Sequence, residues 1–304
     1  MGFNLVLSRA LILGAAVALT ACEVNLNSEG IVSRETKTFK VAGVPDLHLE
    51  TFDGSIEVHS WDRDEIEIEI ERRAMEQSLI DEMKVSAEQN GDKIVVKVSR
   101  PGGRDFDGVQ IGVHFSPTAR LRVALPRSSQ VTATSGDGSI AIEDVDGKVT
   151  LNTNDGSVSA SRVTGEIFAR SGDGSIRMER VAGKLDLETE DGSINLEAKP
   201  TALRARTADG SIRLDVEADS TMSEDWDVQT ADGSVTLTLP GSFNAQIDAE
   251  TRDGAVRTSH AGLSGETRSG EDREERRRTL KATLGSGGRT LKVRTGDGTI
   301  RIEG

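Results

Sequence analysis

The residues of this sequence best placed to do chemistry are carboxylates that recur in one fixed setting. Nine copies of a short unit read Thr or Ser, any residue, Asp, Gly, a small residue, then Ile or Val. Their Asp-Gly corners are Asp53-Gly54, Asp137-Gly138, Asp155-Gly156, Asp173-Gly174, Asp191-Gly192, Asp209-Gly210, Asp232-Gly233, Asp253-Gly254 and Asp297-Gly298. From Asp137 to Asp209 the interval is 18 residues every time. Stacked carboxylates could bind Ca²⁺, which prefers carboxylate and carbonyl oxygens.

A structural role for these corners needs no metal. Asp hydrogen-bonds its own backbone two residues on, and Gly adopts positive φ without steric cost. Carboxylates in one file repel by on the order of 1 kcal/mol in water. We expect backbone N–H groups, and the hydroxyl of the Thr or Ser two residues earlier, to offset this by donating to each Asp. The Gly-Gly-x-Gly-x-Asp spacing of calcium-binding β-repeats is missing. We therefore predict structural corners, with no metal and no cofactor.

The strict period predicts how the elements that hold these corners are arranged. A repeat of about 20 residues is typical of a solenoid, and apolar and polar residues alternate beside each corner, as in strands. A weaker nine-residue sub-repeat, with Gly147, Gly165 and Gly183 halfway between corners, gives two strands per unit. An antiparallel meander with Asp-Gly hairpins would also alternate, but Thr or Ser recurs at only one of the two corners. We predict an all-β parallel β-helix (β-solenoid) with coils of about 18 residues and an irregular N-terminal β cap.

The regular repeats are assigned to residues 126–304. The later corners are 23, 21 and 44 residues apart, which indicates longer loops, and a charged insert spans 265–278. Residues 38–125 are less regular and form the expected N-terminal β region or cap, with a separate domain as the alternative. Within it, Glu65 to Glu71 predicts a strand with a carboxylate row on its wet face, and Met75 to Met83 a short helix.

The first residues describe an exported protein. Arg9 precedes a short apolar run, and residues 1–21 have the pattern of a signal peptide. The final Leu19-Thr20-Ala21-Cys22 resembles the lipobox of bacterial lipoproteins, which implies cleavage before Cys22 and a lipid on that cysteine. Cys22 is the only cysteine, so no internal disulfide is possible. Residues 22–37 would then be a flexible tether to the membrane of the bacterial cell envelope.

Composition argues against several functions. The formal net charge of −14 disfavours nucleic acid, which needs a basic face. The four histidines have no metal-ligand spacing; they are His48, His59, His114 and His260. With no Tyr and two Trp, the sequence lacks the aromatic platforms of a sugar-cleaving cleft. The residue after each corner Ile or Val is mixed in type, which disfavours a lattice-matching surface. We predict no catalytic residue.

A family resemblance rests on several motifs together. These are the strand that ends at Pro126, the Thr-x-Asp-Gly-Ser-Ile units, "LTLP" at 237–240 and "LGSGGRTLKVRTGDGTIRI" at 284–302. Over residues 38–304 they resemble the bacterial envelope β-repeat family called "putative adhesin", a domain of unknown function. The resemblance implies a parallel β-helix in the envelope and carries no catalytic residue.

Three functions are therefore weighed. The first is a structural or adhesin-like envelope protein, anchored through Cys22, with an unknown protein or glycan partner. The second is a sensing or regulatory component that binds a protein through the N-terminal cap. The third is a polysaccharide-active β-helix enzyme.

Overall fold

Strands account for nearly all regular structure in the computed structural model. It describes the backbone of residues 23–27, 30–100, 116–263 and 278–304, and side chains from residue 30 onward. The strands are β1 Glu23–Asn27, β2 Gly30–Lys40, β3 Asp46–Thr51, β4 Ile56–Trp61, β5 Glu65–Ala74, β6 Lys84–Asn90, β7 Lys93–Ser99, β8 Thr118–Pro126, β9 Gln130–Ser135, β10 Ile140–Glu143, β11 Asp146–Asn152, β12 Val158–Ser161, β13 Thr164–Ser171, β14 Ile176–Thr189, β15 Ile194–Thr207, β16 Ile212–Val216, β17 Trp226–Asp232, β18 Val235–Thr238, β19 Ala245–Thr258, β20 Thr279–Leu284 and β21 Thr290–Glu303. One α-helix, α1 Gln77–Glu82, and one 3₁₀ turn, Ala261–Leu263, complete the elements of the described residues. The predicted all-β class is confirmed, and α1 falls inside the predicted 75–83 helix.

The repeat units form two stacks of parallel strands. Stack A holds the strand segments that follow an Asp-Gly corner, and stack B holds those that precede one; the long strands β14, β15, β19 and β21 run through both stacks. In stack A, Ile140 pairs with Val158, and Val158 with Ile176. In stack B, Val149 pairs with Ile167, and that residue with Leu185. Each of these pairs is 18 residues apart, so like residues of successive units lie over one another.

The core lies between the two stacks. Strand alternation turns every second residue inward, and most buried apolar side chains form one continuous, largely aliphatic cluster from Phe39 to Ile302, while Ala74, Ile80 and Met83 form a small second cluster. Leu, Ile and Val dominate it, while Trp226 and Phe243 pack together near the C-terminal end with ring centroids 5.3 Å apart. Because each unit buries its apolar residues only against its neighbours, stability depends on stacking.

The units are not stacked in chain order at the C-terminal end. Strand β21 pairs in parallel with β17 and β18 on one side and with β19 on the other. The last segment of the chain therefore lies between two earlier units. At the N-terminal end, β3 likewise lies between β7 and β9, and β4 between β8 and β10. The sequence predicted that the units stack on one another, but it did not predict the order in which they do so.

Outward charges agree with the observed order. Lys292 of β21 lies between Asp227 of β17 and Asp248 of β19. If the three units followed chain order, the two aspartates would face one another, and like charges directly opposite destabilise paired strands. Charge alternation across stack B therefore favours insertion of β21.

Antiparallel strands close the N-terminal end. In stack A, β8 pairs with β5, β5 with β2 and β2 with β1. In stack B, β6 and β7 form a hairpin whose turn holds Gly91 at φ +63°. The expected cap region is continuous with the repeat stacks, because β3 and β4 pair directly with β9 and β10.

The tether predicted at 22–37 needs correction. Residues 30–37 are not flexible but belong to β2, which pairs with β5 from Ile31↔Ala74 to Lys40↔Glu65. Residues 23–27 form β1 against it. The physical reason is that β5, with its alternating Ile and Glu, offers an open edge whose backbone groups need partners. The signal peptide, Cys22 and insert residues 265–277 lie outside the described residues.

No helix in the described parts of the chain has the length and apolar character needed to cross a membrane.

Candidate functional site

The Asp-Gly corners are joined by a ladder of buried hydroxyl groups. The Thr or Ser two residues before each Asp is buried at all nine corners. In a typical unit, the Thr189 hydroxyl donates to the carbonyl of Gly174 in the preceding unit at 2.9 Å. The same bond recurs from Ser135, Thr153, Ser171, Thr207, Thr230, Thr295 and Thr251 to the glycine of the neighbouring corner, at 2.8–3.0 Å. The hydroxyls thus tie unit to unit.

This geometry corrects one expectation about the corner aspartates. The hydroxyl was expected to donate to the Asp carboxylate of its own turn, but at eight of the nine corners it donates to the glycine carbonyl of the adjacent unit, and at the ninth Thr51 donates to the carbonyl of Ala119. The reason is orientation: the Thr or Ser side chain points inward, whereas eight of the nine Asp side chains are exposed and only Asp53 is half-buried. Solvent therefore screens the repulsion between the stacked corner aspartates and accounts for much of its reduction.

The corner glycines allow the close approach that these bonds need. A Cβ at Gly174 would lie 2.1 Å from the carbonyl oxygen of Gly156, and one at Gly192 would lie 2.1 Å from that of Gly174. Real Cβ atoms are not found this close to another heavy atom, and the neighbouring backbone oxygen cannot move aside as a flexible side chain could. Glycine at this position is therefore a requirement of stacking.

A groove of about 910 Å³ runs along the corners across five successive units. The residues that line it are Asn154, Asp155, Arg170, Ser171, Gly172, Asp173, Glu188, Thr189, Glu190, Arg206, Thr207, Ala208, Gln229, Thr230 and Ala231. We call it the corner groove. Its floor is low because the residue before Asp is small in three of the units, as Gly172, Ala208 and Ala231.

Charges of both signs line the corner groove. Arg170 on β13 pairs with Glu188 on β14 at 3.3 Å. Arg206 on β15 pairs with Asp227 on β17, and its buried Nε has no hydrogen-bond partner. Two exposed carboxylates of the corner file, those of Asp155 and Asp173, also line the groove. The groove therefore offers a polar, elongated surface on which hydrogen-bonding groups repeat from unit to unit.

Metal ligands do not cluster in the described residues. No group of three or more His, Cys, Asp or Glu side chains among them has the geometry to hold a metal ion. His260 is buried, and its Nδ1 accepts a hydrogen bond from the Gly262 N–H at 3.1 Å. On the surface, the Nε2 atom of His48 lies 3.0 Å from the Oδ1 atom of Asp46.

The carboxylate row predicted on β5 is partly neutralised. Glu71 is buried, and Arg34 on β2 contacts its Oε2 at 2.7 Å and 2.8 Å through two guanidinium nitrogens. Burial raises the pKa of Glu71, but the hydrogen bond and charge of Arg34, with Arg73 and Arg122, outweigh it and leave that pKa below its ordinary value. Glu69 pairs with Arg122 at 3.2 Å. This row is an ion-pair network at the N-terminal end.

Sequence reasoning missed the corner groove itself. Arg170, Glu188 and Arg206 are the residues immediately before successive corner Thr or Ser residues. Alignment of the 18-residue units brings these residues into one column, and this column is the signal in the sequence that marks the wall of the groove.

Stacked Asp-Gly corners, parallel units and a continuous apolar interior define the class as a β-strand repeat protein. A family model described as Toastrack DUF4097 matches residues 44–303. The chain therefore belongs to the Toastrack family, and the predicted family resemblance is confirmed. Among curated proteins, none matches the sequence.

Three solved structures are similar in fold at low sequence identity. A "putative adhesin" from Parabacteroides merdae is 13% identical, with 88% of this chain and 95% of that chain covered and a TM-score of 0.44. A "putative adhesin" from Bacteroides fragilis is 11% identical, with 88% and 96% covered and a TM-score of 0.40. A "putative lipid binding protein" from Parabacteroides distasonis is 12% identical, with 88% and 96% covered and a TM-score of 0.37.

Proposed function

We propose that this protein is a non-catalytic, lipid-anchored β-solenoid of the bacterial cell envelope that binds an extended partner along the corner groove. The observation that carries the proposal is the groove itself, which spans five units and is open to solvent. In this proposal the parallel pairs are the coils of a β-helix, and the binding role is adhesin-like.

A rigid frame supports a binding role. The buried hydroxyl ladder fixes the spacing of successive units, and parallel strands repeat at about 4.8 Å. Polar groups of the groove are thereby held at a regular interval without loop rearrangement, and a preorganised surface loses less conformational entropy on binding. An extended polymer could contact several units at once, so weak contacts would add along its length.

Equivalence of the corners favours binding over catalysis. Acid–base catalysis by carboxylates relies on two groups whose environments differ. Along the groove, Asp155 and Asp173 are both exposed and occupy the same position in successive units. A series of like sites suits a repeating ligand better than a single reaction centre.

The lipid anchor is proposed at Cys22. Strand β2 begins at Gly30 and lies at the N-terminal end of stack A, next to β5. An anchored Cys22 would place that end nearest to the membrane, with the corner groove along the side of the molecule. A groove in that position would stay accessible from the surrounding envelope.

Two experiments test these parts separately. Cells that express the protein are labelled with a radioactive fatty acid; we expect label on the wild type and none on a Cys22→Ala variant. Labelling of the variant would refute the anchor.

For the groove, Ala208→Trp places a large side chain on its floor, while Ala141→Trp makes the same change on the outer surface of stack A, on β10, as a matched control. We expect Ala208→Trp alone to reduce attachment of expressing cells to envelope-coated surfaces. Equal attachment by both variants would refute groove binding, and a stoichiometric protein cross-linked only to residues 38–125 would support a sensing component instead.

A further inference from the structure

A stripe of arginines lies on the outer surface of stack A at its C-terminal end. Arg257 of β19 and Arg301 of β21 are directly paired on neighbouring parallel strands, which places their Cα atoms about 4.8 Å apart. Arg301 is paired on its other side with Thr236, and Thr236 with Arg213. All three arginines are exposed. We call Arg213, Arg301 and Arg257 the arginine stripe.

The stripe has no acidic partner among the described residues. Arg177 occupies the same column nearer the middle of the stack, and its Nε lies 2.9 Å from Glu179 on the same strand. Glu303 follows Arg301 by the same two-residue spacing, yet no ion pair within 4.0 Å joins them in the described part of the chain. The outward column therefore contains Arg177, whose charge is neutralised by Glu179, and further along the arginine stripe, which has no such partner among the described residues.

Stack B shows that the same units neutralise charge elsewhere. There Lys292 lies between Asp227 and Asp248, and Arg294 contacts Asp248. Like charges directly opposite on paired strands destabilise a sheet. Two adjacent arginines on stack A, in a protein of net charge −14, therefore form a local positive surface on which an external anion would relieve the repulsion between them.

Hydroxyl groups run beside the stripe. Ser211, Ser234 and Thr299 precede the corner Ile or Val of β16, β18 and β21, and backbone N–H to Oγ contacts of 3.4 Å join successive members. Guanidinium groups bind carboxylates in a two-point fork, and hydroxyls suit a polyhydroxylated chain.

We propose that the arginine stripe binds an anionic polysaccharide, with its carboxylates on Arg257 and Arg301 and its hydroxyls against the Ser and Thr column. This surface is separate from the corner groove, so it can fail while the proposed function stands, and the reverse also holds.

The test measures binding of the detergent-solubilised full chain to polygalacturonate at low salt by calorimetry, with neutral dextran as the blank. Single variants Arg257→Ser and Arg301→Ser are compared with Arg177→Ser, which makes the same charge change in the same column. A lost charge-assisted contact lowers affinity by about tenfold, and we expect this for the stripe variants and not for Arg177→Ser. Arg257→Lys, which keeps the charge but loses the fork, should fall between.

Stability without ligand gives an independent readout. Removing one member of a like-charge pair should raise the melting temperature of Arg257→Ser, whereas Arg177→Ser should not gain. Three results would overturn the proposal: no binding by the wild type, equal losses in Arg177→Ser and Arg301→Ser, or tighter binding of single-stranded DNA than of polygalacturonate. Tighter binding of dextran sulfate alone would likewise reject carboxylate recognition.

Discussion

The guanidinium of Arg294 lies 2.8 Å from the carboxylate of Asp248, on paired strands 46 residues apart in the chain. This contact joins the last unit to β19, on the side of β21 that faces away from β17. Arg294 also contacts Glu250 at 3.4 Å and donates to the Asp248 carbonyl at 2.7 Å. One side chain of the last unit thus holds the outermost unit in place.

A double-mutant cycle on this pair should show favourable coupling. Asp248→Asn and Arg294→Gln keep side-chain size and remove one charge each. Because both side chains are partly exposed, we expect a coupling free energy of about 0.5–1 kcal/mol in urea unfolding. The coupling should fall in 1 M salt, where screening acts over about 3 Å. A coupling near zero at low salt would mean that this ion pair does not stabilise the pairing of β19 with β21.

The hydroxyl ladder gives a second prediction. Thr189→Val keeps the shape of a 3%-exposed side chain but removes the bonds to the carbonyls of Gly174 and Gly172. A buried carbonyl left without a partner costs about 1–3 kcal/mol. We expect that loss in the free energy of unfolding, and most of it restored in Thr189→Ser. Equal stability of the Val and Ser variants would mean that packing, not the hydroxyl, matters there.

The close approach of neighbouring backbones at the corner glycines gives a third prediction. Gly174→Ala would place Cβ 2.1 Å from a backbone oxygen of the neighbouring unit, so the two units must separate. Overpacking typically costs about 1–3 kcal/mol, and we expect the upper end because the obstacle is backbone. Gly241→Ala is the matched control, since no atom lies within 4 Å of its added Cβ. In thermal unfolding we expect a lower melting temperature for Gly174→Ala than for the wild type, and an unchanged one for Gly241→Ala.

The sequence was sufficient for the units but not for their order. The 18-residue period predicted that like residues lie over like residues, and pairs such as Val149↔Ile167 agree. All corners share nearly the same residues, so the corners carry no information about which unit adjoins which. That information lies in outward charges such as Asp227 and Lys292, whose meaning appears only once neighbours are known.

The N-terminal strand was missed for a related reason. Residues 30–37 alternate only weakly in hydropathy, and their polar composition is typical of a linker. Their strand state depends on β5, more than 30 residues further along, which supplies the hydrogen-bonding edge. Tertiary context therefore decided this element. The walls of the corner groove come from five different units, so they could be predicted only by aligning the repeat units on one another.

Acid should weaken the N-terminal end through Glu71. The pKa of Glu71 is held below its ordinary value of 4.5 by Arg34 despite burial. A lowered folded-state pKa contributes stability that is present above the unfolded value and lost as the pH falls through the folded value. We expect Glu71→Gln to reduce stability at pH 7 and to flatten the decline below pH 4.5. Glu67→Gln on the same strand is the control, and an identical acid profile for both variants would contradict this role.

Asp53 should behave in the opposite way. Burial and the neighbouring charge of Asp137 raise the pKa of Asp53 above its ordinary value of 3.8, and Arg100 only partly opposes them. The folded protein therefore binds this proton more tightly than the unfolded chain does. Stability falls as the pH rises from the unfolded-state pKa of Asp53 through its higher folded-state pKa. Asp53→Asn removes the charge that the fold disfavours, so we expect a higher melting temperature at pH 7 and little change at pH 3. Asp155→Asn, at an exposed corner of the same file, should gain less. If Asp53→Asn were the less stable of the two at pH 7, the Asp53 carboxylate would have to make a stabilising contact that outweighs its burial and its repulsion by Asp137.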